Sequence, residues 1–467
     1  GRTRRIMTAK TPRIIGFFHE LLTLAAVGSA IIGCERVDQI QNELRDLTPH
    51  EAYQESLTSA GLHETALAED WLNAANLSLT DAPSIDTPYR EEGFFPAHLP
   101  QARGYKVTLR RGQQLSVTVT ANTEDAVRMF VDIYRLQTNS NISPLPVIST
   151  DSNNKTLEYT SPRRAQYVIR IQPELLRNGR YQIEIAAGGS MAFPVQDRNT
   201  RAILSSFGVE RDGGRRQHHG VDIFAPRGTP VLSATTGRVT RVENTPIGGK
   251  VVWVRDQGPN SIYYAHLDSQ VVVTGTRVDP GTILGFVGNT GNARTTPPHL
   301  HFGVYRRGEG PVDPYYFLHT PPGLPVLKTD NTLGLGGWSR TIDSGIRLRS
   351  SPSSRADILR QMEKHTSFLV LGTSGAWDRV LLPDEQVGFV ASRLTENIAQ
   401  PIGTNIVETS TPLIHSPDAT ASMIELIEAG SGIEILGQFG NYLYVGTETG
   451  TTGWISGFSE SFQVEQD

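Results

Sequence analysis

The 467-residue chain contains a single cysteine, Cys34, which excludes an internal disulfide framework and any cysteine-based zinc cluster. It also lacks an excess of positive charge: 43 Lys and Arg against 48 Asp and Glu leave a net charge of -5 and a pI of about 6.2. That balance argues against a nucleic-acid footprint, so no nucleic-acid partner is expected. No HExxH occurs, so the glutamate base that many zinc proteases carry on a helix is missing. What remains is ordinary for a globular protein, with 38% hydrophobic and 19% charged residues and a length sufficient for about three domains. Glycine (45) and proline (28), with short alternating runs, point to many turns and strands.

The N-terminal stretch carries Arg2, Arg4, Arg5, Lys10 and Arg13, followed by the apolar run LLTLAAVGSAIIG from Leu21 to Gly33. This run is too short to span a bilayer but fits the apolar core of a signal peptide. The following IIGC resembles the lipobox of bacterial lipoproteins, whose cysteine is lipidated and becomes the mature N-terminus. The resemblance implies lipidation at Cys34, a lipoprotein signal peptide at 1–33, and export to the periplasm with a lipid anchor in a membrane of the cell envelope. The alternative is an uncleaved anchor, because counting from Ile14 extends the apolar segment to about 20 residues, a spanning length. Both readings place the rest of the chain outside the cytoplasm.

Beyond the cysteine, residues 34–92 read as a helical spacer and linker. Two short helices are expected in LTPHEAYQESLTSAG and LHETALAEDWLNAANL, the first with Thr48 as cap and Pro49 at its first position. The stretch TDAPSIDTPYREEGFFP reads as loop by its Pro, Asp and charge content. Between 93 and 196, YKVTL, LSVTV, MFVDIYRL, QYVIRI and YQIEIA alternate as strands do, predicting an accessory β-sandwich without a catalytic group.

The C-terminal part repeats. Ser351-Pro352, Gly372, Val380 and Gly388-Phe389 return as Ser416-Pro417, Gly437, Val445 and Gly453-Trp454, each 65 positions later. The pattern resembles the bacterial SH3-like barrels that tether cell-wall enzymes to their substrate, and implies one module at 339–397 and a second at 402–462. The alternative is that they pack against the enzyme or bind a protein. The fold class expected for the chain is mainly β and multidomain: short N-terminal helices, a β-sandwich, an antiparallel β-sheet peptidase domain and two small SH3-like β-barrels.

Chemistry concentrates between residues 218 and 301, where five of the 12 histidines fall: His218, His219, His266, His299 and His301. In HLHFGV, a strand would turn His299 and His301 to one face and Leu300 to the other. In HHGVDIFAPRGTPV, His218 stands four residues before Asp222, with Gly220 between them allowing a tight backbone course. Imidazole and carboxylate are both zinc ligands, and three of them with an open position make a catalytic rather than a structural site. His218, Asp222 and one histidine of the HLH would complete such a set.

In this order, HHGVDIFAPRGTPVLSATTGRV, YYAHL, GFVGNTG and PPHLHFGV closely resemble the lysostaphin-type (LytM) zinc endopeptidases, which cut peptide bonds in bacterial peptidoglycan. The likeness covers about residues 200 to 320 within an expected domain at 197–322. It implies His218, Asp222 and His301 as ligands of Zn2+, and His266 and His299 as the catalytic histidines on the substrate side. His219 falls at the variable position and is read as a solvated residue. With no glutamate base, a histidine must take the proton of the attacking water, His299 being the expected general base and His266 the stabiliser of the oxyanion or a proton donor. The expected function is therefore zinc-dependent hydrolysis of peptidoglycan cross-links, with peptidoglycan as partner and the membrane reached through the lipid anchor. The alternative is a non-catalytic activator of cell-wall amidases, to which an intact ligand set would be of no physical use.

Overall fold

The computed structural model describes residues 46–122, 127–137, 141–143, 145–152, 156–211, 213–327 and 334–456. The signal segment and the lipidation site Cys34 lie outside the described residues. The chain is mainly β, built of antiparallel sheets with two helices near its start. Among the described residues, no helix is long and apolar enough to cross a membrane.

Helix Pro49–Ser59 begins as its sequence predicts. The Glu51 amide donates to Thr48 Oγ1 (3.2 Å) and the Thr48 amide to Glu51 Oε2 (2.9 Å), a reciprocal capping box. Helix Ala66–Thr80 buries Ala68, Trp71, Ala75 and Ser78, one stripe at helical spacing. Trp71 Nε1 donates to the Pro173 carbonyl (2.9 Å) and Gln172 Nε2 to the Trp71 carbonyl (2.8 Å). This second helix, read from sequence as part of a spacer, is thus docked on strand Ala165–Pro173.

The alternating strands of the 93–196 region form two sheets over a shared core. One holds Arg103–Leu109, Ala165–Pro173, Met129–Arg135 and Ile148–Thr150; the other contains Tyr89–Phe95, Gly179–Gly189, Gln113–Asn122 and Thr156–Thr160. Val107, Ile169 and Ile171 of the first meet Val117, Ile183 and Ile185 of the second in one buried cluster.

Tyr89–Phe95 corrects the loop reading of its segment. It is a full strand in which Tyr89, Glu91, Gly93 and Phe95 are buried in alternation. The pattern was hidden because one inward position carries a glutamate, which alternation rules score as polar. Glu91 lies buried against the Arg379 guanidinium (2.8 Å) and accepts from the Tyr105 and Tyr181 hydroxyls at 2.9 and 2.8 Å. The same strand pairs with Ser367–Ser374 of the first C-terminal repeat, through Glu92 opposite Thr373 and Gly93 opposite Gly372. The sandwich sheet therefore continues into that repeat.

The two repeats correspond strand by strand. Trp338–Thr341, Ile346–Arg349, Ile358–Met362, Ser367–Ser374, Trp377–Leu381 and Val387–Ala391 return as Gly403–Ile406, Thr411–Ile414, Met423–Ile427, Gly432–Phe439, Tyr442–Thr447 and Thr452–Ser456. Even the register breaks recur, at Leu348/Arg349 and Leu413/Ile414. Each copy has its own core, around Leu348, Phe368 and Val380 in the first and Leu413, Ile435 and Val445 in the second.

Between sandwich and repeats, one sheet runs in the order Arg277–Val278, Gly237–Thr245, Gly249–Asp256, Asn260–Gln270, His299–Arg306, Val221–Phe224 and Ile203–Ser205. Its core gathers Ile223, Val252, Val254, Tyr264, Leu300, Phe302 and Val304, all buried. The opposite face of its three central strands carries the candidate site.

Candidate metal centre and catalytic cleft

Strand alternation sorts His299–Arg306: Leu300, Phe302 and Val304 enter the core, so His299 and His301 face the other way. The neighbouring strand Val221–Phe224 places Asp222 opposite His301 and Ile223 opposite Leu300, which brings the carboxylate onto the same face. His218 approaches from just before that strand. A Cβ on Gly220 would meet the Phe302 carbonyl at 2.5 Å and His301 Nε2 at 2.8 Å. Close approach of the Phe302 carbonyl and the His301 ring, rather than a special backbone turn, is therefore what requires glycine between His218 and Asp222.

His266 arrives by an irregular route. Tyr264 points into the core, so regular alternation would send His266 inward as well. A bulge shifts the register between Lys250/Leu267 and Val252/Tyr264, and His266 adopts a left-handed φ of 63°. Its amide donates to the Gly248 carbonyl (2.8 Å), its ring turns to the cleft, and Leu267 returns to the core. A non-glycine residue held there costs on the order of 1–3 kcal/mol, a strain that neighbouring structure must sustain. The GFVGNTG loop does so. The Thr290 carbonyl accepts from His266 Nδ1 (2.9 Å), Thr290 Oγ1 donates to the Leu267 carbonyl (2.9 Å), and the Gly288 carbonyl accepts from the His299 amide (3.0 Å).

Backbone carbonyls also assign the tautomers. His218 Nδ1 lies 2.8 Å from the Ser206 carbonyl, His266 Nδ1 2.9 Å from that of Thr290, and His299 Nδ1 2.9 Å from that of Pro297. A carbonyl only accepts, so each Nδ1 carries a proton, and in the neutral imidazole each Nε2 then keeps a lone pair. His218 Nε2, Asp222 Oδ1 and His301 Nδ1 then converge at 3.0, 3.0 and 3.1 Å. A ring lone pair set 3.0 Å from a carboxylate oxygen is repulsive unless a cation, proton or metal, lies between them. Tetrahedral zinc with ligands at about 2.0–2.1 Å would hold its donor atoms roughly 3.3 Å apart, so the N, N, O set fits zinc with an adjustment of a few tenths of an ångström. His299 Nε2 stands 3.9 Å from Asp222 Oδ1, beside this trio rather than in it.

The groups are buried and their protonation reflects it. Burial alone would raise the Asp222 carboxyl, but its contacts with the His218 and His301 rings outweigh burial and hold it well below the usual carboxylate range. Burial first, then the neighbouring His301 and His299, pushes His266 down to about 4; burial likewise lowers His301. His219 is exposed at the rim and does not join the trio.

Sequence reasoning missed three contributors. Arg211 Nη2 donates to Asp222 Oδ2 (2.8 Å) and to Ser205 Oγ (2.6 Å), occupying the carboxylate oxygen that faces away from the histidines. Trp253, Tyr263 and Tyr305 form an aromatic wall, with ring centroids 4.5 to 6.3 Å apart and Tyr263 edge-on to His301. Thr290 anchors His266 through a backbone atom. The wall had a sequence signal, since Tyr263 and Tyr305 share strand parity with the cleft-facing positions Ala265 and His301, and Thr290 lies within the GFVGNTG stretch. Arg211 and the wall line a cleft of about 900 Å³, with no glutamate among the described residues of its lining.

With this geometry in view, similarity to known proteins can be placed. The sequence model of Peptidase family M23 matches residues 216–314. Those residues form an M23 peptidase domain. An L-Ala--D-Glu endopeptidase of Bacillus subtilis (strain 168) is 39% identical over 141 residues, covering 28% of this chain and 43% of the relative. The peptidoglycan DD-endopeptidase ShyC of Vibrio cholerae is 33% identical over 128 residues, covering 27% of this chain and 29% of the relative. The similarity thus spans less than half the length of either relative. Among solved structures, the catalytic domain of lysostaphin from Staphylococcus simulans aligns at 29% identity over 26% of this chain and 94% of that one, with a TM-score of 0.24. The M23 match encloses His218, Asp222, His266, His299 and His301, and leaves Arg211 just outside its start.

Proposed function

We propose that the chain is a zinc-dependent endopeptidase that hydrolyses peptide cross-links of bacterial peptidoglycan. The observation that carries this reading is the convergence of His218 Nε2, Asp222 Oδ1 and His301 Nδ1 within 3.1 Å, beside two further histidines whose Nε2 atoms are kept as acceptors. The M23 match and the peptidoglycan endopeptidases among its relatives support the substrate class. His218, Asp222 and His301 would hold the metal. When bound, zinc would polarise the scissile carbonyl and lower the pKa of a water from 15.7 to about 7.

The chain's own residues then have distinct tasks. His299, with Nδ1 tied to Pro297, presents Nε2 to take the proton of the attacking water. His266, kept neutral by burial with its one proton on Nδ1, donates to the tetrahedral oxyanion or to the leaving amine only after its Nε2 has taken up a proton; the tasks of the two histidines are exchangeable on this face. The aromatic wall and the buried floor exclude bulk water along one side of the substrate. Cys34 lipidation would hold the enzyme in the periplasm at an envelope membrane, and the two C-terminal repeats would act as SH3-like modules engaging wall or an envelope protein.

The test is digestion of purified peptidoglycan with direct and with glycine-bridged cross-links, followed by mass spectrometry of the new termini. Zinc-dependent appearance of a new amino terminus in either material is expected. Stimulation of a wall amidase without such cleavage would replace this reading with the regulatory one.

A further inference from the structure

We infer that a cleft on the first C-terminal repeat is a binding site for a carboxylate-bearing peptide, gripped by Arg347, Arg349 and Arg393 against Trp377. The choice of a wall peptide as its source rests on the endopeptidase reading above.

The placement follows from alternation. Ile346 and Leu348 are buried in the repeat's core, so Arg347 and Arg349 of the same strand face outward. Arg393 joins them from the short turn Ser392–Leu394, and half-buried Trp377 opens the strand Trp377–Leu381, where it pairs with Ala391 just before that turn. Together they line a concavity of about 610 Å³, within the usual range for ligand clefts. No acidic side chain lines it. Asp378 lies behind, buried and bonded by the Ser392 hydroxyl (2.8 Å), with burial raising its carboxyl.

Two contrasts separate this cluster from ordinary surface charge. Three other arginines of the repeat are matched to carboxylates, Arg360 to Asp384 at 2.6 Å, Arg340 to Glu396 at 2.8 Å and Arg379 to Glu91 at 2.8 Å, whereas Arg355 is exposed outside the cleft. Among the described residues, Arg347 and Arg393 have no such partner, and Arg349 gives only Nη1 to the Ala356 carbonyl (2.7 Å). The second contrast is internal. The second repeat has the same strands, yet Pro412 and Ile414 stand where the first has Arg347 and Arg349, and Tyr442 where it has Trp377. The arginines are therefore not needed to build the module. Planar guanidinium forks match carboxylates bidentately, and the indole face offers apolar contact to the peptide between its charges. A stem peptide with several free carboxylates and short aliphatic side chains has this chemistry.

The experiment uses the full chain, stripped of metal by chelation so that nothing is cut, in titration calorimetry at low salt. The probes are acetyl-Ala-D-Glu-Lys-D-Ala with free carboxylates and the same peptide fully amidated. The parent is expected to bind the acid form at least tenfold more tightly than the amide. Arg347→Ser combined with Arg393→Ser should weaken the acid form tenfold or more, while Arg360→Ser on the same repeat leaves it within twofold. Both cleft substitutions are at exposed positions, and an unchanged circular dichroism spectrum and melting temperature confirm folding; Arg347→Lys with Arg393→Lys should fall between. Absence of binding by the parent, equal affinity for acid and amide, or full affinity in the double Ser variant would each overturn the assignment. So would loss of phosphatidylglycerol-vesicle binding in that variant with peptide binding intact, which would mark a membrane site. Zinc-loaded cleavage of a soluble cross-linked fragment is measured separately, so failure of the enzyme reading and failure of this site give different results.

Discussion

Of the buried clusters of charge among the described residues, those around Glu91 and Asp222 are finished differently. Around Glu91, the Arg379 guanidinium reaches both carboxylate oxygens and the Tyr105 and Tyr181 hydroxyls donate to one of them, so the anion's acceptor positions are met by donors. Around Asp222, one oxygen is met by Arg211, but the other faces the lone pair of His218 Nε2, whose Nδ1 donates to the Ser206 carbonyl, with His301 Nδ1 against both. The first cluster is electrically complete and joins two sheets. The second is complete only with a cation. Buried charge alone therefore does not mark a functional site; a buried set of acceptors facing one another does.

The comparison breaks most decisively at His301. His301→Ala removes one of three donors around the gap, so zinc retention and cleavage should both be lost. Zinc added to the parent should raise its stability by about 2.7 kcal/mol at a hundredfold excess over Kd, a shift seen in thermal melts and absent in this variant. His219→Ala, at the exposed rim, should keep zinc and cleavage. If His301→Ala keeps its zinc while His299→Ala loses it, the division within the pair is reversed.

The opposite cluster should respond in the opposite currency. Glu91→Ala leaves Arg379 buried without its anion, and breaking one partner of a buried pair typically costs about 3–5 kcal/mol. Zinc affinity of the remaining folded protein should be unchanged. Burial pushes the Glu91 carboxyl up and Arg379 pulls it further down, to a net value below its usual 4.5. Because the folded value is the depressed one, the cluster's contribution is full above about pH 4.5 and fades as pH falls through the folded value. Denaturant melts of parent and variant should therefore differ most at neutral pH and converge in strong acid. A zinc-dependent difference between them would contradict the separation of the two clusters.

Between these extremes lie the histidines that flank the trio. His299→Ala and His266→Ala should retain zinc yet lose about 10²- to 10⁴-fold in cleavage rate, the usual contribution of a positioned acid–base group, or about 3–5 kcal/mol of barrier. Parallel metal analysis and cleavage assays check both halves. Loss of zinc in either variant would move that residue into the ligand set.

These residues also show where sequence was a sufficient guide. Strand parity placed His299 and His301 on one face, and the spacing of His218 and Asp222 brought them to it, because alternation and short spacing are local rules that tertiary structure rarely overrides. The 65-residue repeat likewise maps onto corresponding strands, since the same residues make the same turns twice. Where the chain departs from regularity, legibility ends. His266 faces the cleft only because a bulge and a left-handed φ reverse its parity. The strand at Tyr89 was unreadable because its inward Glu91 is neutralised by a residue 288 positions away. The Ser206, Thr290 and Pro297 carbonyls that set the tautomers are backbone atoms, and any residue supplies one.

The smallest expected effect sharpens the comparison furthest. In the structural cluster the guanidinium spans both carboxylate oxygens; at Asp222, Arg211 takes Oδ2 alone and leaves Oδ1 free toward the histidines. Arg211 is thus a positioning residue that fixes which oxygen is offered. It is partly exposed, with 37% of its side chain accessible, so solvent screens its charge and its contribution lies in orientation more than in Coulomb energy. Supporting partners of this kind typically alter metal affinity by about 10- to 100-fold. Arg211→Met should weaken zinc binding within that range, measured by competition with a chromophoric chelator, while cleavage at saturating zinc stays near the parent value. Arg211→Lys, which restores charge without the planar fork, should recover only part of the affinity. Unchanged affinity in Arg211→Met would remove the orienting role, and a rate that stays low at saturating zinc would place Arg211 on the substrate.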